Sequence, residues 1–160
     1  MSTSEKQKGV TARWPNDLGR SFTPISNYFL ENYHRLSPHP SAKGLSSAEA
    51  MVIVHLLSYK WDERAPYPTL GKISARMGIS KRAVRAHLKT LGDLKTPDEI
   101  SYVYRERSAV GGPNRFHFDG LYSALNTLMA ADLEAKTMAE MTEGSSKISQ
   151  IQSKPITEEK

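Results

Sequence analysis

Six lysine and arginine side chains fall within residues 69–91, a stretch that contains no aspartate or glutamate. They are Lys72, Arg76, Lys81, Arg82, Arg85 and Lys89. The stretch carries a net charge of +6, whereas the whole chain of 160 residues carries +5, so the remainder is close to neutral. Concentrated cations without carboxylates suit the binding of phosphates, and this distribution predicts a nucleic-acid interface.

The residue types give little indication of catalysis, metal binding or cofactor binding. The chain has no cysteine, which excludes disulfides, thiolate metal sites and cysteine nucleophiles. Its five histidines do not pair at a spacing that places two on one helix face, and its carboxylates do not flank a glycine-rich phosphate loop. We therefore expect no enzymatic activity, no metal and no cofactor.

The elements that must position the cations follow from hydrophobic spacing and capping residues. The predicted elements are helices over about 24–36, 47–61, 69–77 and 81–91, strands over 100–107 and 115–118, and a last helix from Asp119 towards Met141. Thr23 with Pro24 would begin the first helix, and Ser46 with Glu49 forms a capping box for the second. The fold class is therefore mostly α with a small β-hairpin.

The junction between the third and fourth helices carries turn and cap residues. Gly78 lies at the turn, where a residue without Cβ takes a positive φ at little cost. Ile79 would anchor the turn in the core, and Ser80 is a good N-cap for the fourth helix. Gly92 is placed to end that helix as a left-handed cap.

The fourth helix has two faces of opposite character. Its apolar stripe consists of Val84, Leu88 and Leu91. The opposite side consists of Arg82, Arg85, Ala86 and Lys89, with Lys81 between the two faces in the first turn. Such a helix can pack on a core while its outer residues reach base edges and phosphates in the major groove.

Residues 73–91 resemble the winged helix-turn-helix domains of bacterial, phage and plasmid proteins. The form common to those domains is Leu-Ala-x-x-Leu-Gly-Val-Ser-Arg-x-Thr-Val-Arg-x-x-Leu-x-x-Leu. The chain reads Ile-Ser-Ala-Arg-Met-Gly-Ile-Ser-Lys-Arg-Ala-Val-Arg-Ala-His-Leu-Lys-Thr-Leu at this point, and a looser similarity extends from Phe22 to about Leu128. The resemblance implies a winged helix-turn-helix fold that binds double-stranded DNA.

The segment after the fourth helix departs from the family pattern before it reaches the wing. Related domains usually pass through Gly-Leu-Ile into the first wing strand, whereas the longer connector 92–100 intervenes here. In the predicted wing, Arg105, Arg107 and Arg115 flank the glycine-rich tip 110–114. Such a tip lets the backbone approach a phosphate or the minor groove closely. The alternative is a hairpin whose arginines only keep an edge strand soluble.

We predict DNA contacts from the third helix, the fourth helix and the wing. The candidate residues are Lys72, Ser80, Lys81, Arg82, Arg85, Ala86, Lys89, Arg105, Arg107, Gly112 and Arg115. Because many of these contacts would be to phosphates, binding should be strongly salt-dependent. A sequence-specific transcriptional regulator is the first hypothesis. The alternatives are plasmid or phage replication initiation or partition, and a winged-helix adaptor subunit of a nucleoprotein complex.

Composition divides the chain into three parts. Residues 1–21 and 136–160 are polar, which predicts a disordered N-terminal arm and a disordered C-terminal tail around a domain over 22–135. The basic arm is a candidate to lie along DNA, and the tail is a candidate site for a protein partner. The last helix either packs on its own domain and frays near residue 135, or pairs with a second copy to form a homodimer.

Segments for export or membrane insertion are not found in the sequence. The N-terminus lacks the apolar stretch of a signal peptide, and nowhere do about 18 apolar residues run together. We therefore expect a cytoplasmic, nucleoid-associated protein without a membrane partner.

Overall fold

The computed structural model describes residues 21–37 and 42–152. Residues 1–20 of the predicted arm (1–21) and residues 153–160 of the predicted tail (136–160) lie outside the described residues. The described elements are the helices α1 (Asn27–Asn32), α2 (Ser47–Leu57), α3 (Leu70–Met77), α4 (Lys81–Asp93) and α5 (Asp119–Gln152), a 3-10 turn (Tyr33–Arg35), and the strands β1 (Tyr104–Glu106) and β2 (Arg115–His117). The order is the predicted one, and the fold class is confirmed as mostly helical with a small antiparallel hairpin.

Helix α1 begins after Ser26, so the predicted start at Thr23 and Pro24 is wrong. The Ser26 hydroxyl accepts a hydrogen bond from the Phe29 N–H at 3.4 Å. A helix that starts here turns Phe29 into the core, where its side chain is 3% exposed. Burial of this ring therefore selects Ser26 over the equally suitable cap three residues earlier.

Helix α2 is the centre of the core, and its predicted capping box is confirmed. The Ser46 hydroxyl accepts from the Glu49 N–H at 3.2 Å, and the Glu49 carboxylate accepts from the Ser46 N–H at 2.7 Å. Val52, Ile53 and Leu56 are completely buried along the helix. The same buried cluster includes Ile73 of α3, Val84 and Leu91 of α4, Phe116 of β2 and Leu121 of α5.

The connector between α4 and β1 folds back onto the end of α4. The Tyr102 N–H donates to the Leu94 carbonyl at 2.8 Å, and the Val103 N–H donates to the Leu91 carbonyl at 3.2 Å. The Ser101 hydroxyl donates to the Gly92 carbonyl at 2.8 Å. These bonds satisfy carbonyls that a helix end leaves unpaired, so α4 continues through Gly92 to Asp93. The predicted left-handed cap at Gly92 is therefore wrong.

The hairpin is shorter than predicted because residues 101–103 bond to α4 rather than to a second strand. Its register places Tyr104 opposite His117, Arg105 opposite Phe116 and Glu106 opposite Arg115. The Phe116 N–H also donates to the Pro66 carbonyl at 3.0 Å. This bond ties the loop before α3 to the hairpin.

Helix α5 is longer than predicted. The prediction of a disordered tail over 136–160, and the alternative of fraying near residue 135, are both wrong for residues 136–152, which are helical. The reason is local, since residues 130–143 are rich in Ala, Met, Glu and other strong helix formers. Every side chain from 133 to 151 is exposed.

Asp132 marks the place where α5 leaves the rest of the fold. Arg35 donates to both of its carboxylate oxygens, at 2.7 and 2.8 Å, and the Tyr28 hydroxyl donates to one of them at 2.7 Å. The guanidinium and the hydroxyl hold the pKa of Asp132 at about 2, below its ordinary value.

Over residues 21–37 and 42–152, helices long and apolar enough to cross a membrane do not occur.

Candidate nucleic-acid interface

The turn between α3 and α4 sets the angle at which α4 is presented. Gly78 has φ 65° and ψ 28°, the left-handed conformation predicted for it. A Cβ built at this position would meet nothing within 4 Å, so the backbone conformation, rather than space, requires glycine. The Ile79 N–H donates to the Ser74 carbonyl at 3.2 Å, and the Ser74 hydroxyl donates back to the Ile79 carbonyl at 2.6 Å.

Helix α4 has the two faces that the sequence predicted. Val84 and Leu91 are completely buried and Leu88 is 8% exposed. The outer face consists of the exposed residues Lys81, Arg82, Arg85, Ala86 and Lys89. Because Ala86 is small, it leaves a low point among longer side chains, where the helix backbone can come close to base edges.

The first turns of α3 and α4 share one surface. The Ser80 hydroxyl accepts from the Ala83 N–H at 3.1 Å and caps α4. The Lys81 Cε lies 3.3 Å from the position that a Cβ would take at Gly71, so the Lys81 side chain extends over the first turn of α3. Lys72 is exposed on that turn. Two lysines thus lie beside two helix N-termini, an arrangement that suits phosphate oxygens.

Lys89 already has an anionic partner. Its ammonium lies 2.7 Å from the Asp93 carboxylate, one helical turn later, and this hydrogen bond raises the pKa of Lys89. Both side chains are more than 60% exposed. An exposed pair contributes little to stability, so a phosphate can take the place of Asp93.

The three wing arginines do not share one face of the hairpin. Arg105 lies opposite the buried Phe116, whereas Arg115 lies opposite Glu106 on the other face. Arg105 is partly buried, and Arg107 and Arg115 are exposed. Arg105 and Arg115, both predicted to flank the tip, thus lie on opposite faces of the wing.

Arg105 connects the wing electrostatically to α4. Burial lowers the pKa of its guanidinium, and the nearby charges of Arg107 and Arg85 lower it further. With its amide oxygen turned towards Arg105, Asn114 accepts from Nη2 at 2.6 Å and from Nε at 3.1 Å. The charges of Arg105 at the wing base and Arg85 in the middle of α4 therefore lie close enough to interact, and Asn114 holds the Arg105 side chain.

The two glycines of the wing tip stabilise the conformation of the tip itself. Gly111 has φ 73°, and the Gly112 N–H donates to the Ser108 hydroxyl at 3.0 Å. A Cβ at Gly112 would lie 2.9 Å from that hydroxyl oxygen, so a side chain there would displace Ser108. The Gly112 N–H is therefore engaged within the wing, and a phosphate would have to replace Ser108 to bond with it.

A group of residues at the end of α2 was missed by sequence reasoning. Arg76, counted above among the cations, lies over the Tyr59 ring at 4.3 Å and donates to the Ser58 hydroxyl at 2.7 Å. It therefore lies away from the outer face of α4. Trp61 and Tyr67 are exposed on the loop that follows α2. The available signal was the density of aromatic residues within 59–67. The prediction placed residues 59–61 in the second helix and the rest in a loop, whereas α2 ends at Leu57.

A metal site would need several His, Asp or Glu side chains close together. Across the part of the chain that the structure describes, three or more His, Asp or Glu side chains do not come together as a site for a metal ion.

Comparison with known proteins agrees with this geometry. The family model described as "Helix-turn-helix domain" matches residues 43–96, which span α2, α3, the turn and α4. Neither a curated protein nor a solved structure matches the chain. The β1–β2 hairpin follows the matched region directly, in the position of a wing. Residues 43–96 are therefore similar to a helix-turn-helix domain, and the hairpin that follows them fits the winged type.

Proposed function

We propose that this protein binds double-stranded DNA sequence-specifically, with α4 in the major groove and the wing on the neighbouring backbone. The outer face of α4 carries the proposal. Arg82 and Arg85 are exposed there, and within the described residues neither forms an ion pair. Side chains of this kind are available to guanine edges and to phosphates without first breaking an internal contact.

The surrounding residues supply contacts to the backbone. Lys72, Lys81 and Ser80 lie at the helix N-termini, where phosphates bind favourably. Arg107 and Arg115 extend from the two sides of the wing. The neighbouring charges of Arg85 and Arg105 would attract the duplex, and contacts to its phosphates would fix its register.

We favour the role of a transcriptional regulator, located on the nucleoid in the cytoplasm. A small DNA-binding protein can fill this role simply by occupying its site. A regulator should protect a site upstream of a gene. A replication initiator or partition protein should instead protect repeated sites and recruit further replication proteins. An adaptor should bind duplexes weakly and without sequence preference while it co-purifies with a partner.

We also propose that two copies pair through α5. Beyond Asp132 this helix presents exposed apolar side chains along one side, at Leu133, Met141, Ile148 and Ile151. At about 1.5 Å per residue, the exposed part extends roughly 30 Å, long enough for a helix–helix interface. Sedimentation velocity should find a dimer, and Met141→Glu with Ile148→Glu should yield a monomer that keeps its fold.

Selection from a random duplex pool tests the main proposal. Full-length protein should enrich a defined sequence, and direct titration should show that this duplex binds at least about 1,000-fold more tightly than unrelated duplexes. A selection that enriches no sequence, with equal affinity for all duplexes, would remove sequence-specific recognition and favour the adaptor.

A further inference from the structure

A groove lined by aromatic rings and cations lies beside the DNA-binding face. It encloses about 580 Å³ between the loop after α2, the start of α3 and the wing. Its aromatic residues are Tyr59, Trp61 and Tyr67, and its cations are Arg64, Lys72 and Arg115. Trp61 is 79% exposed and Tyr67 is 63% exposed, more than any other aromatic side chain in the described part of the chain.

The loop that carries these rings is held by its own bonds. The Lys60 ammonium donates to the carbonyls of Asp62 and Arg64, at 2.9 and 3.1 Å. The Asp62 carboxylate pairs with Arg64 at 2.6 Å. The Pro66 carbonyl accepts from the Phe116 N–H of the wing. Trp61 and Tyr67 are therefore exposed on a loop that has internal bonds and one backbone bond to the wing.

The chemistry of the groove fits a nucleotide. An exposed indole or phenol ring offers a stacking surface for any base, since every base has a π-face. Lys72 and Arg115 lie on the same groove and can hold a phosphate. Asp62, the acidic residue of the lining, is already neutralised by Arg64, and that contact lowers the pKa of its carboxyl. A proline-rich peptide could pack against the rings but would leave the cations without an anionic partner, so a nucleotide fits the groove better.

We propose that this groove binds an unpaired base of the DNA that α4 and the wing hold, with the base stacked on Trp61 or Tyr67. The inference rests on the proposed function, because Lys72 and Arg115 belong to both surfaces and the duplex would deliver the strand. It adds a second specificity, for duplexes that are melted or distorted next to the recognised site. Such a preference would suit a protein that opens DNA rather than one that only occupies it.

Tryptophan fluorescence provides a direct test, since the chain has only two tryptophans, Trp14 and Trp61. In a Trp14→Phe background, a short oligothymidylate should quench Trp61. In the full chain, Trp61→Ala should weaken oligothymidylate binding about 5-fold to 100-fold, the range expected for loss of one stacked base. Affinity for a fully paired duplex should stay within about 2-fold, because the proposal assigns the groove to unpaired bases alone.

Trp61→Phe is the matched control, because it keeps an aromatic ring at the same position in the groove. It should retain most of the oligothymidylate affinity and leave the duplex affinity unchanged. If the duplex binds but oligothymidylate neither quenches Trp61 nor depends on it, the groove inference is wrong and the proposed function stands. If a fully paired duplex does not bind, the proposed function fails. Quenching by an oligoproline peptide instead of oligothymidylate would reassign the groove to a protein partner.

Discussion

The Ser74 hydroxyl donates a 2.6 Å hydrogen bond to the carbonyl of Ile79, across the left-handed turn at Gly78. This bond joins the last turns of α3 to the residue that precedes the cap of α4. Since Ile79 also packs against the core, the bond couples the position of α4 to the interior of the domain. The turn angle is thus fixed by a side chain as well as by the glycine.

Ser74→Ala should therefore lower the free energy of unfolding by about 1 kcal/mol, because the Ile79 carbonyl loses its partner in a partly buried turn. Urea denaturation measures the effect. Ser149→Ala is the matched control, since the Ser149 hydroxyl makes a bond to the Ser145 carbonyl on the exposed helix. It should cause no measurable loss. Equal effects of the two changes would mean that the Ser74 bond has no special role.

Asp132 should make stability depend on pH. Its folded-state pKa of about 2 lies below the ordinary 3.8, chiefly because of Arg35 and then Tyr28. A lowered carboxyl pKa gives a stabilising contribution that is complete above about pH 4 and is lost as the pH falls towards 2. The unfolding free energy of the native chain should therefore drop more than that of Asp132→Asn over this interval.

Arg35→Met should abolish most of the same pH dependence, because Arg35 is the largest cause of the lowered pKa of Asp132. Thermal unfolding followed at pH values from 5 to 2 compares the three proteins. An Asp132→Asn protein with the full native decline below pH 4 would show that this carboxylate is not linked to folding.

Ala86→Trp should block entry of α4 into the major groove without a change of charge. Ala86 is exposed at the centre of the outer face, so the substitution should leave stability nearly unchanged. Affinity for the selected duplex should fall about 10-fold to 100-fold, the size of one or two lost base contacts. Ala139→Trp, on the exposed part of α5, should bind like the native chain in the same titration. Unimpaired binding by Ala86→Trp would place the duplex elsewhere.

Features that depend on neighbours in the sequence could be predicted from it. The Ser46–Glu49 capping box, the Gly78 turn and the buried stripe of α4 are each determined within a few residues, and all three are confirmed. The helix-turn-helix core was recognisable for the same reason. The clustering of Lys and Arg on the outer face of α4 also follows from helical spacing, and Asp93, one turn after Lys89, adds a carboxylate to that face.

Features that depend on distant contacts could not be predicted. Gly92 continues a helix because residues 101–103 return to bond with it, and Ser26 caps α1 because Phe29 must reach the core. The aromatic groove combines residues of the loop, the start of α3 and the wing, and the Pro66–Phe116 bond joins the loop to the wing. The aromatic residues of that loop have no periodicity, so a pattern search passes over them.

The charge-reversal pair Arg82→Glu with Arg85→Glu tests the central claim most directly, with duplex affinity measured over a series of salt concentrations. The native chain should lose affinity steeply with salt, and the variant should bind far more weakly, with a log–log slope reduced by about 2. Lys136→Glu with Lys147→Glu makes the same change of charge on the exposed part of α5 and should bind nearly as the native chain does. Native affinity and slope in the Arg82/Arg85 variant, or an equal loss in the control pair, would contradict recognition of DNA by α4.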